Sequence, residues 1–267
     1  DINGNGYPEI FVTSLNPLKT GISSFVLEYN GQKYVKIIKS CPWYFRVVEL
    51  PGQGRILLGQ KNSFANPFSG KIYKMLWENS EYVPGEVIKA PRRSNLMGLT
   101  LADIMNSGEN VVVAYNESDK IQIIDQSGNE LWKGSDTFGG STLYFAMPID
   151  GPGDIENRKY LPMRILCRDV NSDGKPEVIA VNNHGKVSRL LGQFRTFTKS
   201  HIESLAWDGL GLTPFWKTRT ISGHVRDFSV GDFNNDGADE LVAVVILKEG
   251  SIIGTTPKST VIAYSLN

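Results

Sequence analysis

Short apolar or alternating runs, not helical stripes, organise this chain. YFRVVEL, LMGLTLAD, MRILCRD and RDFSVGD each lead into a polar turn, and IFVTS, VVVAY, VIAVNN and LVAVV follow such turns. Alternation of period two, and β-branched runs bounded by Gly, Asn and Asp, read as strands. Farther along each unit comes a pair of strands with a tight turn between them: SSFVLEYN-GQ-KYVKIIKS, GKIYKMLWEN-SE-YVPGEVIK, KIQIIDQ-SGN-ELWKG and HIESLAWDG-LGL-TPFWKT. No segment of ordinary helix length carries an amphipathic helical stripe. The pattern therefore predicts a repeated unit of strand, polar loop, strand and hairpin.

The loops repeat more closely than the strands. Asp1-Ile-Asn-Gly-Asn-Gly-Tyr-Pro-Glu9, Asp169-Val-Asn-Ser-Asp-Gly-Lys-Pro-Glu177 and Asp232-Phe-Asn-Asn-Asp-Gly-Ala-Asp-Glu240 align without gaps. A degraded copy, Asp103-Ile-Met-Asn-Ser-Gly108, keeps the leading aspartate and the glycine, and Glu49-Leu-Pro-Gly-Gln-Gly54 keeps only the shape. The copies begin at 1, 49, 103, 169 and 232, separations of 48 to 66 residues. That is the scale of one four-stranded propeller blade with its loops.

The expected fold is thus all-β, a β-propeller of four-stranded blades over 1–40, 41–92, 93–161, 162–221 and 222–267. A sandwich also uses many short strands, but its strands do not recur as a self-similar group of four. The first unit opens at its loop and the last ends on STVIAYSLN, its third strand. Propellers close by pairing terminal strands, so the missing strands are expected upstream of residue 1, within a ring of six or seven blades.

Charge adds exclusions. Lys plus Arg total 28 and Asp plus Glu total 28, so no net field draws the chain to nucleic acid or to an anionic membrane. No apolar run is long enough to insert into a bilayer. The two cysteines, Cys41 and Cys167, fall near strand edges of different repeats and are expected to stay unpaired.

The loops carry the candidate chemistry. Calcium takes six to eight oxygen ligands at flexible distances, which suits a tight loop alternating carboxylates and amides. Positions 1, 3, 5 and 9 would point inward with a main-chain carbonyl at 7, and glycine at 6 permits the turn. The ligand sets are Asp1, Asn3, Asn5, the Tyr7 carbonyl and Glu9; Asp169, Asn171, Asp173, the Lys175 carbonyl and Glu177; and Asp232, Asn234, Asp236, the Ala238 carbonyl and Glu240. The last two bring three carboxylates each and the first brings two, so two stronger calcium sites and one weaker are expected. An EF-hand needs a glutamate at position 12 and flanking helices; Val12, Ala180 and Ala243 stand there, inside strands. Asp and Asn also form hydrogen-bonded turns without metal, and that reading suffices for the copies at Glu49 and Asp103.

DINGNGYPE, DVNSDGKPE and DFNNDGADE match the loop Asp-x-Asp/Asn-x-Asp/Asn-Gly-x-x-Asp/Glu, and by them the chain resembles the FG-GAP or VCBS repeat proteins. Their propellers are similar to the integrin α-subunit head. The resemblance spans essentially the whole chain and implies calcium-stabilised loops, an extracytoplasmic location and roles in adhesion or assembly.

Other features are weaker guides. His184, His201 and His224 lie in no nucleophile motif and read as polar strand or loop residues. The irregular stretch 134–161 makes Tyr144, Phe145, Asp150, Asp154 and Glu156 the candidate partner surface, with a decorative hairpin as the alternative. KVSRLLGQFRTFTKS, holding Arg189, Arg195 and Lys199, reads as an extra strand or a basic contact for an acidic partner. Trp43, Trp77, Trp132, Trp207 and Trp216 suggest blade-to-blade packing ahead of sugar stacking. The expectation is a non-catalytic interaction module with a protein partner; a lectin-like propeller, or a polysaccharide lyase or hydrolase with its site in the central funnel, is the alternative.

Overall fold

The computed structural model describes residues 1–14, 22–50, 54–61, 68, 70–91, 93–146, 158–188, 194–248 and 256–266. They form a five-bladed β-propeller of antiparallel sheets. The first blade holds β1 (Glu9–Val12), β2 (Ser24–Tyr29) and β3 (Tyr34–Cys41). The second holds β4 (Trp43–Leu50), β5 (Gly54–Lys61), β6 (Ile72–Glu78) and β7 (Glu81–Ile88). A single 3-10 turn, Leu96–Gly98, leads into the third blade of β8 (Leu99–Ala102), β9 (Val111–Tyr115), β10 (Lys120–Ile124) and β11 (Glu130–Thr137). A separate hairpin of β12 (Tyr144–Ala146) and β13 (Arg158–Tyr160) follows. The fourth blade contains β14 (Ile165–Arg168), β15 (Glu177–Ser188), β16 (Phe194–Trp207) and β17 (Leu212–Lys217), with the short β18 (Ile221–Ser222) also paired to β16. The fifth has β19 (His224–Gly231), β20 (Glu240–Lys248) and β21 (Lys258–Ser265).

Each complete blade runs inner strand, loop, second strand, hairpin, in the order the sequence pattern predicts. The first blade lacks the inner strand and the last lacks the outermost one among the described residues. The described residues form five blades, where the sequence pattern predicts a ring of six or seven.

Burial follows position in the blade. β9 is buried at all five residues and reads VVVAY, because neighbouring blades cover both its faces. Outer strands alternate instead, as β21 does, with Val261 at 65% exposure. The core is a succession of layers between blades: Val26, Phe45 and Tyr82 between the first two, Leu58, Leu99 and Val112 between the next, then Val113, Ile165, Ile179, Val225 and Leu241. The tryptophans serve this packing. A side chain at Gly211 in the fourth blade would begin 2.3 Å from the Trp132 indole nitrogen of the third, so glycine is required there by close approach.

The segment KVSRLLGQFRTFTKS is not an added strand. Its described parts lengthen β15 and β16, whose pairing continues to Ser188 with Phe194. Arg195 lies over the Tyr160 ring at 4.3 Å and reaches Asp119 at 3.7 Å, tying this hairpin to the third blade. Arg189 lies outside the described residues. Both cysteines are free, as expected.

Candidate functional site

The gapless loops fold on one rule. Asp169 Oδ1 accepts from the Asp173 amide at 3.2 Å and its Oδ2 from the Gly174 amide at 2.9 Å, which wraps the chain about one carboxylate. Asn171 Oδ1 accepts from the Asp173 amide at 2.9 Å and Asp173 Oδ1 from the Lys175 amide at 2.8 Å. Ser172 and Gly174 take left-handed φ of 61° and 84°. The loop at Asp232 repeats each bond, with Asn235 and Gly237 at 62° and 89°.

The degraded copy separates turn from ligands. Asp103 accepts from the Ser107 amide at 2.8 Å and the Gly108 amide at 2.6 Å, and Asn106 and Gly108 have φ of 52° and 85°. Met105 and Val111 occupy its third and ninth positions, yet the turn forms. A leading aspartate, an oxygen at position 5 and two left-handed residues therefore suffice for the shape, and the oxygens at positions 3 and 9 are surplus to it.

Those oxygens converge in the complete loops. Glu177 Oε2 accepts from the Val170 amide at 2.9 Å, and Oε1 accepts from Asn171 Nδ2 at 2.9 Å. The same amide nitrogen reaches Asp173 Oδ2 at 3.2 Å, so one –NH2 stands between two carboxylates. Asn234 does the same between Asp236 and Glu240 at 2.9 and 2.8 Å. Burial, and then the neighbouring Asp173 and Asp169, push the Glu177 carboxyl above its ordinary range, against the pull of the Val170 amide. A concave set of oxygens that repel one another is a set a hard cation would relieve. Among the described residues no three His, Cys, Asp or Glu side chains stand together as a ready cage; these sets depend on asparagine and main-chain oxygens as well.

The first loop is different. Its position 5 is Asn5, and its ninth residue, Glu9, accepts from the Tyr82 hydroxyl at 2.6 Å and from the Ile2 and Asn3 amides at 2.8 and 2.9 Å. Burial alone would raise the Glu9 carboxyl, but the Tyr82 hydroxyl and these amides outweigh it and hold it low. Glu28 lies directly across from Glu9 in the β1–β2 register and accepts from both Asn3 and Asn5 amides at 2.8 Å. Neither Tyr82 nor Glu28 was foreseen from the sequence. The available signal was a glutamate at the alternating position that β2 buries beside Ser24 and Val26.

The loops at Asp169 and Asp232 each join the inner strand of a blade to its second strand, β14 to β15 and β19 to β20, so they lie on one rim. There these two loops border a cavity of about 820 Å³ lined by Glu49, Arg55, Arg168, Asp169, Ser172 and Asp239 among others. A second cavity of about 780 Å³ is lined by Glu9, Phe11, Met97, Phe145 and Arg226 among others. Arg46, 8% exposed, lines both and stands between them. From the second blade its guanidinium donates to the Met97 carbonyl of the third and, at 2.8 Å, to the Ile165 carbonyl of the fourth. Burial, reinforced by Arg164, lowers its pKa to about 9. Arg164 holds Asp227 through two bonds of 2.8 and 3.0 Å, and Arg168 holds Asp239 at 2.7 Å. Sequence reading named none of these arginines.

Of the candidate partner surface, Tyr144 is 38% exposed beneath the Arg158 guanidinium at 4.3 Å. Phe145 packs on Tyr44 and Phe68 at ring distances of 6.0 and 5.5 Å, anchoring the hairpin to the second blade. Asp150, Asp154 and Glu156 lie outside the described residues. No family model and no curated protein sequence matches the chain.

Proposed function

We propose that this propeller is a non-catalytic, calcium-stabilised interaction module of an exported or cell-surface protein, of the FG-GAP or VCBS kind, that binds a protein partner. The observation that carries the calcium reading is the contrast between homologous glutamates. Glu9 is satisfied by protein donors, whereas Glu177 faces Asp173 and Asp169 with one amide between them. Calcium would be held by Asp169, Asn171, Asp173, the Lys175 carbonyl and Glu177, and by the matching set at Asp232, Asn234, Asp236, Ala238 and Glu240. Its contribution there is charge neutralisation that stiffens the rim, and a rigid rim of loops is a surface on which recognition is commonly built. The set at Asp1, Asn3, Asn5, Tyr7 and Glu9 would bind more weakly.

Calorimetric titration should give two stronger calcium sites, with Asp173→Ala and Asp236→Ala each removing one; absence of calcium heat would overturn the reading. The arginines that line the first cavity, Arg46, Arg55, Arg164 and Arg168, favour one second reading, an acidic glycan in the funnel. Incubation with a panel of acidic glycans separates the two: retention without products makes the protein a lectin, release of unsaturated or reducing ends makes it an enzyme, and neither outcome is expected.

A further inference from the structure

We propose that His184 and His201 form a two-histidine site for a transition-metal ion, Zn2+ or Cu2+, on the fourth blade, with Glu203 holding His201 in the ligating tautomer. The antiparallel register pairs Asn182 with His201 and His184 with Lys199, so the two histidines lie diagonally on one face of the sheet. The register slips immediately after His184, where a side chain on Gly185 would begin 1.8 Å from the Thr196 carbonyl oxygen. Such a bulge re-aims the side chain beside it. Here it turns His184 Nε2 onto His201 Nδ1 at 3.0 Å.

The protons can be placed by chemistry. His201 Nε2 is bonded to the Glu203 carboxylate, and an ionised carboxylate only accepts. Nε2 therefore carries the His201 proton, and Nδ1 presents a lone pair toward His184. A carboxylate behind an imidazole whose other nitrogen is free is the arrangement that orients histidine ligands and raises their basicity. With metal–nitrogen bonds of about 2.0–2.1 Å, a tetrahedral ion holds two nitrogens about 3.3 Å apart and a square-planar one about 2.9 Å. The observed 3.0 Å lies between these values. The ion takes the place of the proton shared by the two rings: His184 moves its Nε2 proton to Nδ1, and both lone pairs face the metal.

Rigidity and access are divided between the two partners. The His201 and Glu203 side chains are 16% and 14% exposed, whereas His184 is exposed, so one ligand is fixed, the other adjusts, and the remaining positions are open to water. Lys199 opposite His184 and Lys217 opposite Glu203 bring positive charge to the same face and temper the affinity. Imidazole nitrogens select zinc or copper, whereas the loop oxygens select calcium, so the two sites do not compete.

The test is copper titration of the calcium-loaded protein, followed by calorimetry and by electron paramagnetic resonance. One equivalent should bind in the micromolar range, with hyperfine structure from two imidazole nitrogens. His184→Ala, at an exposed position, should lower affinity at least tenfold and leave one nitrogen. Glu203→Gln should weaken binding by about 10–100-fold while keeping both. Undiminished affinity in His184→Ala, an oxygen-only spectrum, or no binding at micromolar copper would overturn the proposal.

Discussion

Replacing Arg46 by methionine asks whether a buried guanidinium holds the propeller together or burdens it. The side chain joins three blades through the Met97, Leu96 and Ile165 carbonyls, the Leu96 contact being long at 3.4 Å. Each good hydrogen bond from a charged donor contributes about 1.5–3 kcal/mol, and each buried carbonyl left without a donor costs about 1–3 kcal/mol. Against this, Nε is buried without a partner and, among the described residues, the guanidinium bonds only main-chain carbonyls. Removing that charge from the interior relieves a desolvation penalty of roughly several kcal/mol. Methionine fills much of the volume but satisfies none of the carbonyls. The balance expected is a loss of about 2–4 kcal/mol, or a fall in Tm of roughly 5–15 °C at this chain length. Urea unfolding followed by tryptophan fluorescence measures it as a lower midpoint at unchanged slope. Arg46→Lys should fall between parent and methionine variant. A methionine variant as stable as the parent would refute the reasoning, because it would mean that the desolvated charge costs as much as its bonds return.

Three further perturbations test neighbouring steps. In calcium-free buffer Glu177 binds its proton more tightly in the folded chain than in the unfolded one. Its share of stability is therefore full below the ordinary carboxylate value and is lost as pH rises through the raised one, and urea midpoints of Glu177→Gln should lack that loss. Glu9 has the opposite sign: its stabilisation is present above the ordinary value and lost as pH falls through the lowered one. Tyr82→Phe should remove part of it and cost about 1–2 kcal/mol at pH 7, measured by the same unfolding curves. Gly211→Val should press on Trp132 and cost about 1–3 kcal/mol, with a changed indole emission as its signature.

What was legible in the sequence is what is local. Asp169 bonds amides four and five residues away, and Asn79 and Ser80 turn the β6–β7 hairpin at φ of 51° and 61°, so residue type and spacing specify both. The repeated strand order was legible because the polar loops recur between strands. The residues that escaped act across long separations: Glu28 meets Asn3 from 25 residues away, Tyr82 meets Glu9 from 73, and Arg46 meets Ile165 from 119. Their roles depend on register and on which blade faces which, and neither is written in a short window. The segment after Lys186 was misread for a related reason: a strand that simply continues has no boundary signal to distinguish it from an added one.

The three gapless loops were equivalent as patterns but are not equivalent as sites. In the first, a cross-strand glutamate and a tyrosine from the next blade supply donors and charge that the other two lack. Two like charges facing each other across a strand pair ordinarily repel; here Asn3 and Asn5 donate to Glu28 while Tyr82 donates to Glu9, so both carboxylates are hydrogen-bonded by the protein itself. The second loop has no acidic partner across the sheet: Glu177 stands opposite Arg168 on β14, and its neighbour Val178 opposite Leu205 on β16. Calcium should therefore move the unfolding midpoint through Asp173 far more than through Glu9. Titrating calcium against Asp173→Ala and Glu9→Gln in parallel measures that inequality: equal loss of calcium stabilisation in both would show that the loops act alike, and that the donors from Tyr82, Asn3 and Asn5 do not substitute for the ion.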